Sequence, residues 1–206
     1  MTDSDLSGGS VRKGLAILVL AVVIAGFTVF LATGLIGRSS ATGRSGEELV
    51  GKAPPWFAAP KIDGGIVTLD QYQGSPLIIN FWASWCPPCR DETPDIEDMW
   101  KSRMDEGLVV IGVNVQDSEE EAKNYLSEFS VTFPNVLDSD GRITVEYGVT
   151  GLPVTFFISR DGRVAGRWVG SISESRLASW ATFLLEGNLS PSASSGNNAG
   201  GYRSLN

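Results

Sequence analysis

The sequence predicts one α/β domain, a central mixed β-sheet flanked by helices, joined to a single N-terminal transmembrane helix. Short apolar runs rich in β-branched residues alternate with amphipathic segments, as strands and helices do in an α/β domain. An uncharged apolar stretch, residues 14–36, precedes the domain. At about 1.5 Å per residue, a helix of that length crosses the hydrocarbon core of a bilayer. The two features together predict a tethered domain.

The composition excludes several kinds of chemistry. The chain of 206 residues contains no histidine and only two cysteines. Without histidine there is no Ser-His-Asp or Cys-His catalytic arrangement and no histidine-ligated metal site, and two thiolates make only half of a zinc site. The formal net charge of -8 and the lack of a basic stripe argue against a nucleic-acid partner. We therefore expect neither a metal nor another cofactor.

The N-terminal region divides into a tail, an anchor and a linker. Residues 1–13 form a short polar tail, residues 14–36 the transmembrane anchor, and residues 37–48 a linker rich in serine and glycine. A cleaved signal peptide is the alternative, but its apolar region is usually about 7–15 residues long. The basic residues on the two sides of the span nearly balance, so they orient it only weakly. The two cysteines, Cys86 and Cys89, are separated by two residues, and a domain with such a Cys-x-x-Cys pair has most use where disulfides form, which favours a cytoplasmic tail and an extracytoplasmic domain.

The order of elements within residues 49–189 supports the mixed sheet. One hairpin has its turn at Asp63-Gly64-Gly65, and a later one turns at Asp161-Gly162. Strands are predicted at 77–83, 108–115, 154–159 and 163–169, and helices at 86–104, 118–129, 141–147 and from 173 onwards. Ser118, which precedes three glutamates, is predicted to be a helix N-cap. Residues 190–206 are of low complexity and are predicted to be disordered.

Both cysteines lie in the stretch Trp85-Cys86-Pro87-Pro88-Cys89, between a predicted buried strand and a predicted helix. Cys86 would lie at the helix N-terminus, where the helix dipole favours the thiolate and lowers its pKa below the free value of about 8.5. Cys89 would lie further in and act as the resolving thiol. Neither proline has a backbone N–H, so the Cys89 amide is the nearest main-chain donor for a Cys86 thiolate. A structural disulfide that closes so short a loop would constrain the unfolded chain little and so add little to the stability of the fold. We therefore predict that Cys86 and Cys89 are a redox pair.

The segment NFWASWCPPCRDETP, residues 80–94, resembles the thioredoxin-like proteins of the TlpA/ResA/DsbE group. These are membrane-anchored extracytoplasmic thiol-disulfide oxidoreductases. The resemblance runs from about Gly51 to Leu185 and includes the later segment YGVTGLPVTFFI, residues 147–158. It implies a thioredoxin fold with an N-terminal β-hairpin, and thiol-disulfide oxidoreductase activity.

The resemblance also implies roles for further residues. Pro153 matches the cis-proline that faces the cysteine pair, which would leave the backbone of Leu152 free to pair with an extended substrate peptide. Glu92 matches the active-site acid, able to transfer a proton when Cys89 attacks. Thioredoxin has a buried aspartate where this chain has Asn80, and an amide cannot act as a base, so Glu92 is the remaining candidate. Trp85 would shield the cysteines and contact the substrate.

The expected function is the reduction of disulfides in extracytoplasmic proteins, with electrons from a membrane donor of the thiol-transporter type. The resemblance, rather than the residues, implies this direction and a role in cytochrome c maturation, with apocytochrome c as a substrate. A dithiol oxidase or isomerase would use the same residues, and a redox-inert binding or chaperone module is a further alternative. A peroxiredoxin-like peroxidase would need a threonine three residues before its cysteine, where this chain has Ala83.

Overall fold

The computed structural model describes residues 17–28 and 46–187. Residues 17–28 form a helix, α1, which lies inside the predicted anchor. Within these two ranges no helix is both long and apolar enough to cross a membrane. The remainder of the predicted anchor, the N-terminal tail and the C-terminal tail lie outside the described residues. Helix α1 and the domain belong to two separate units and are described separately.

The domain contains seven strands and four helices between residues 46 and 187. The elements are β1 (Ala58–Pro60), β2 (Ile66–Thr68), β3 (Leu77–Trp82), α2 (Pro87–Arg103), β4 (Val109–Val115), α3 (Glu119–Glu128), β5 (Asn135–Asp138), α4 (Arg142–Glu146), β6 (Val154–Ile158), β7 (Val164–Val169) and α5 (Glu174–Glu186). Short 3-10 helices occupy Glu47–Leu49, Leu69–Tyr72 and Met104–Glu106. Ser118 caps α3 in a reciprocal capping box with Glu121, which confirms the predicted N-cap.

Five strands form a mixed sheet in the order β5-β4-β3-β6-β7, and β1 and β2 form a separate antiparallel hairpin. Strands β3, β4 and β5 run parallel, whereas β6 and β7 are antiparallel to their neighbours. The mixed sheet and the N-terminal hairpin are therefore confirmed. Strand β5 was not predicted, because it has only four residues and its pairing with β4 is invisible in the local sequence pattern.

The sheet separates two apolar layers, because successive side chains of a strand point to opposite faces. On one face Ile79 and Phe81 pack with the hairpin and with residues of α4 and the segment after it, such as Ile143 and Tyr147. On the other face Ile78 packs with α2 and α5. Helices thus cover both faces, as predicted.

Residues 46–48, which the sequence places in the linker, belong to the folded domain. Gly46 is buried, and a Cβ atom added to it would overlap the ring of Phe156. It also has a φ of +66°, a conformation that favours glycine. The chain therefore packs against the domain before residue 49, and composition did not reveal this because a serine- and glycine-rich stretch is typical of linkers.

Topology determines where the functional residues meet. Strand β3 ends at Trp82, four residues before Cys86, and Phe81 pairs with Val154 at the start of antiparallel β6. The segment Leu152-Pro153, which leads into β6, therefore reaches the edge of the sheet at which β3 leads into the cysteine motif.

Candidate redox site

Cys86 and Cys89 form a disulfide at the start of α2, with their Cα atoms 5.3 Å apart. Cys86 is the N-cap of the helix, and the prolines at 87 and 88 occupy its first positions, where a missing N–H costs no helical hydrogen bond. The backbone N–H of Cys89 donates a hydrogen bond to the Cys86 sulfur at 3.3 Å. This is the main-chain donor that the two prolines leave available. A negative charge on Cys86 would meet both this donor and the positive end of the helix dipole.

The two cysteines differ in their surroundings. Cys89 is fully buried, and Cys86 retains 3% of its surface. Both belong to an apolar cluster with Trp82, Ala83 and Tyr125, which assigns Trp82 to the core. Trp85, beside Cys86, is 57% exposed and its indole N–H donates to the carbonyl of Gln116 at 3.4 Å. A large aromatic surface therefore stands next to the less buried sulfur.

Glu92 lies on α2, three residues after Cys89, and is buried. One carboxylate oxygen accepts a hydrogen bond from Asn80 at 2.9 Å, and the other accepts one from the backbone N–H of Ile172 at 2.8 Å. Desolvation raises the pKa of Glu92 from 4.5 to about 7, although these two hydrogen bonds oppose the rise. Glu92 is thus a buried acid that changes charge near neutral pH.

Asn80 has a role that the sequence did not reveal. Its side-chain NH₂ donates both to Glu92 and to the hydroxyl of Thr155 at 3.0 Å, so it joins α2 to strand β6. Asn80 stands where thioredoxin has a proton-accepting aspartate. In this chain it instead donates a hydrogen bond to Glu92, the remaining candidate for acid-base chemistry. Thr155 and Ile172 are 75 and 80 residues from their partners, so no local pattern pointed to them.

The Leu152–Pro153 peptide bond is cis, as predicted. Pro153 is buried, and its carbonyl accepts a hydrogen bond from Gly170 at 2.9 Å. Leu152 packs against the cluster that contains both cysteines. Among the described residues, neither the N–H nor the carbonyl of Leu152 has a hydrogen-bond partner. Both main-chain groups are therefore available at the site.

Two further contacts hold the segment before Cys86. The carboxylate of Asp117, in the loop after β4, accepts hydrogen bonds from the backbone N–H of Ser84 at 2.7 Å and from its hydroxyl at 2.8 Å. Asn114 donates to the same carboxylate at 2.6 Å. Sequence reasoning did not single out these residues, since only the parallel pairing of β3 and β4 brings the two loops together. Among the described residues, no cluster of three or more histidine, cysteine or acidic side chains could hold a metal ion.

Comparison with known proteins agrees with this geometry. The model of the AhpC/TSA family matches residues 50–167. Thiol-disulfide oxidoreductase ResA of Bacillus subtilis is 29% identical over 180 residues, covering 87% of this chain and 95% of that protein. The ResA protein of Geobacillus thermodenitrificans is 30% identical over 125 residues, covering 61% of this chain and 72% of that protein.

A solved structure is similar over the same region. The thiol:disulfide interchange protein of the thioredoxin family from Chlorobium tepidum has a TM-score of 0.61 and 30% sequence identity, covering 65% of this chain and 95% of that chain. The disulfide-bonded Cys-Pro-Pro-Cys motif lies within the region that the family model matches. The chain therefore belongs to the AhpC/TSA family, and it is a thioredoxin-like thiol-disulfide oxidoreductase of the ResA and DsbE type.

Proposed function

We propose that this protein is a membrane-anchored reductase of disulfides in extracytoplasmic proteins, in which Cys86 attacks the substrate and Cys89 resolves the intermediate. The observation that supports this most directly is the asymmetry of the pair. Cys86 caps α2 and accepts a hydrogen bond from the Cys89 amide, while Cys89 is completely buried. The better stabilised thiolate is therefore the one that a substrate can approach.

The reaction proceeds in two exchanges from the reduced pair. The Cys86 thiolate attacks one sulfur of the substrate disulfide, and the other substrate sulfur leaves as a thiolate. The Cys89 thiolate then attacks Cys86, which breaks the mixed disulfide and forms the Cys86–Cys89 bond. The substrate has gained two electrons and takes up two protons as a dithiol. A membrane electron donor of the thiol-transporter type returns two electrons to the pair.

Glu92 is the acid-base group in this scheme. Its pKa of about 7 allows it to accept the proton that Cys89 loses before it attacks, and to return that proton later. Its position supports the role, because it lies one helical turn beyond Cys89 on α2 and is shielded from solvent. The rate of the second exchange should rise with pH around 7, and Glu92→Gln should remove that rise.

Substrate recognition combines main-chain pairing with an aromatic contact. The free N–H and carbonyl of Leu152 would pair with an extended substrate segment, as in other cases of strand addition. Pro153 fixes the adjoining backbone, and Trp85 offers an exposed indole beside Cys86. Because backbone groups are common to all peptides, this arrangement suits several protein substrates, with apocytochrome c as one candidate.

Membrane attachment is assigned to residues 14–36. This stretch contains no charged residue, and its described part, residues 17–28, is a helix. The apolar side chains of that helix are exposed, for example Ile17 at 68% and Leu20 at 60%. Exposed apolar surface of this extent is stabilised by lipid rather than by water. The oxidoreductase domain would then lie outside the cytoplasm.

A trapping experiment tests the mechanism. Cys89→Ala, expressed as the full-length chain in membranes, should accumulate proteins linked to Cys86 by mixed disulfides that dithiothreitol releases. Cys86→Ala should trap few or none, since Cys89 is buried. If Cys86→Ala traps as much as Cys89→Ala, the assignment of the attacking cysteine is wrong. A reduction potential above the extracytoplasmic poise, measured against glutathione, would instead identify an oxidase or isomerase.

A further inference from the structure

Two hydroxyl groups lie within hydrogen-bonding distance of the carbonyl of Cys89. The hydroxyl oxygen of Thr93, one turn further along α2, is 2.8 Å from the carbonyl oxygen, and that of Tyr125 on α3 is 3.1 Å from it. The two hydroxyl oxygens are themselves 2.5 Å apart, so one hydroxyl donates to the other and the second donates to the carbonyl, and both residues are buried. The main chain of one redox cysteine is therefore fixed by a side chain from a different helix.

This lateral support lies where α2 is weakened. Pro94 is inside the helix and has no N–H, so the carbonyl of Arg90 lacks the donor that a regular helix would provide. The interruption follows directly after the turn that carries both cysteines. The hydroxyl of Tyr125 reaches that turn from α3, either directly or through the hydroxyl of Thr93, and secures it from outside the helix.

Neighbouring residues of α3 hold the same turn. Tyr125 and Glu128 of α3 and its C-cap residue Phe129 are spaced at i, i+3 and i+4, and we call them the α3 clasp. Glu128 forms an ion pair with Arg90, whose guanidinium group lies 5.5 Å from the ring centre of Tyr125 and 5.0 Å from that of Phe129. Beneath them, the ring of Trp82 stacks on Tyr125 at 4.3 Å. The ring of Tyr125 is thus in contact with both the guanidinium group of Arg90 and the ring of Trp82.

We propose that Tyr125 is a positioning residue that keeps Cys89 within reach of Cys86 when the disulfide is open. In the oxidised protein the Cys86–Cys89 bond itself restrains this turn. In the dithiol, and in the mixed disulfide with a substrate, that bond is absent, and the α3 clasp together with the hydroxyl of Thr93 restrains the turn. Restraint of the dithiol raises the effective concentration of one thiol at the other, which favours closure of the disulfide.

The proposal rests on the assignment of Cys89 as the resolving cysteine. When Cys89 attacks Cys86 in the mixed disulfide, the bond between Cys86 and the substrate breaks and the substrate sulfur leaves as a thiolate. A looser Cys89 would reach the aligned position less often, so the mixed disulfide would persist longer. The equilibrium between dithiol and disulfide would shift toward the dithiol for the same reason.

The test is Tyr125→Phe, which removes the hydroxyl and retains the ring that stacks on Trp82. The full-length protein is equilibrated with reduced and oxidised glutathione, and the equilibrium constant gives the effective concentration of the two thiols. We expect the effective concentration of the two thiols in Tyr125→Phe to be about three- to tenfold lower than in the wild-type protein, the size expected from losing one buried hydrogen bond. The mixed disulfide of Cys86 with glutathione should resolve more slowly by a similar factor.

Tyr147→Phe is the matched control. Tyr147 is also completely buried, and its hydroxyl donates to the carbonyl of Pro55 at 3.0 Å, so its loss costs a comparable hydrogen bond away from the cysteines. Both variants should lose similar thermal stability, and only Tyr125→Phe should change the equilibrium constant. Thr93→Val, which removes the other hydroxyl on Cys89, should change it in the same direction and provides a second route if Tyr125→Phe does not fold.

The outcomes separate this inference from the proposed function. If the wild-type protein exchanges disulfides and both Tyr125→Phe and Thr93→Val match Tyr147→Phe within about twofold, Tyr125 supports the fold alone and the inference is wrong. If Cys89→Ala traps no substrate on Cys86, the proposed mechanism fails, whatever the equilibrium constants of the tyrosine variants.

Discussion

The side-chain amide of Asn80 donates a hydrogen bond to the carboxylate of Glu92 at 2.9 Å, inside the core of the domain. Asn80 is 2% exposed and Glu92 is 1% exposed. Burial favours the uncharged acid and raises the pKa of Glu92 to about 7, while Asn80 and the N–H of Ile172 favour the carboxylate. With these opposing effects, the side chain of Glu92 is charged in some of the protein molecules and neutral in the others at neutral pH.

This balance predicts that the free energy of unfolding depends on pH through Glu92. The folded pKa is raised above the ordinary value of 4.5, so the folded state holds the proton more tightly than the unfolded state between pH 4.5 and about 7. The contribution of Glu92 is fully present below pH 4.5 and is lost as pH rises through about 7. The loss should reach about 3 kcal/mol at pH 8, at about 1.36 kcal/mol for each pKa unit.

Glu92→Gln is the variant that isolates this effect. Glutamine carries no charge, and Asn80 can turn its amide to present an oxygen to the new NH₂ group. Urea unfolding at pH 5 and pH 8 should show that the wild-type protein loses more stability than Glu92→Gln over this range. Equal losses in the two proteins would mean that Glu92 titrates at its ordinary pKa or lies in contact with water.

Asn80→Asp should destabilise the domain at alkaline pH. It places a second carboxyl group within hydrogen-bonding distance of Glu92. Two carboxyl groups so close cannot both ionise without a cost in folding free energy, because their negative charges repel. If the higher pKa of the pair rises by about two units above that of Glu92 in the wild-type protein, the added cost is about 1.4 kcal/mol at pH 8 and approaches about 2.7 kcal/mol at more alkaline pH. Urea unfolding at pH 5 and pH 8 measures it. The double variant Asn80→Asp/Glu92→Gln exchanges amide and carboxylate and should recover most of the loss; no recovery would argue against charge repulsion as the cause.

Trp85→Ala should affect protein substrates more than small ones. Because the side chain is 57% exposed, we expect a change in unfolding free energy of less than about 0.5 kcal/mol. The KM for a protein disulfide should rise several-fold, since an aromatic contact surface beside Cys86 is lost. The rate with a small aromatic disulfide reagent should change less than about twofold. If the activity falls by the same factor with both substrates, Trp85 acts on the cysteines and not on the substrate.

Gly112→Ala should be poorly tolerated although it adds a single methyl group. The new Cβ would overlap the side-chain oxygen of Asn135 and lie 2.8 Å from the indole nitrogen of Trp82, two atoms that are joined by a hydrogen bond. Overpacking of this kind costs about 1–3 kcal/mol. Thermal unfolding would measure it, with Gly151→Ala as the control because nothing lies within 4 Å of its added Cβ. Equal stability of the two variants would contradict the packing described for Trp82.

The elements that depend on neighbouring residues were predictable. The Pro-Pro dipeptide, the dipole of the following helix and the spacing of the cysteines are local properties, and together they place Cys86 at the N-terminus of α2 without help from distant residues. Ser118 was predictable for the same reason, because its capping partner Glu121 is three residues away. The strand β5 was not, since it is a short edge strand defined by its pairing with β4.

The sequence by itself determined that this chain carries two cysteines suited to disulfide exchange and no histidine that could serve another kind of catalysis. Only the tertiary structure decided how those cysteines are supported. Glu92 meets Ile172 across 80 residues of sequence, and Tyr125 reaches the carbonyl of Cys89 across 36. The physical reason is that burial and hydrogen bonding, which set the pKa of Glu92 and hold Cys89 in place, depend on which distant segments pack together. Periodicity and spacing describe single elements and do not specify those contacts.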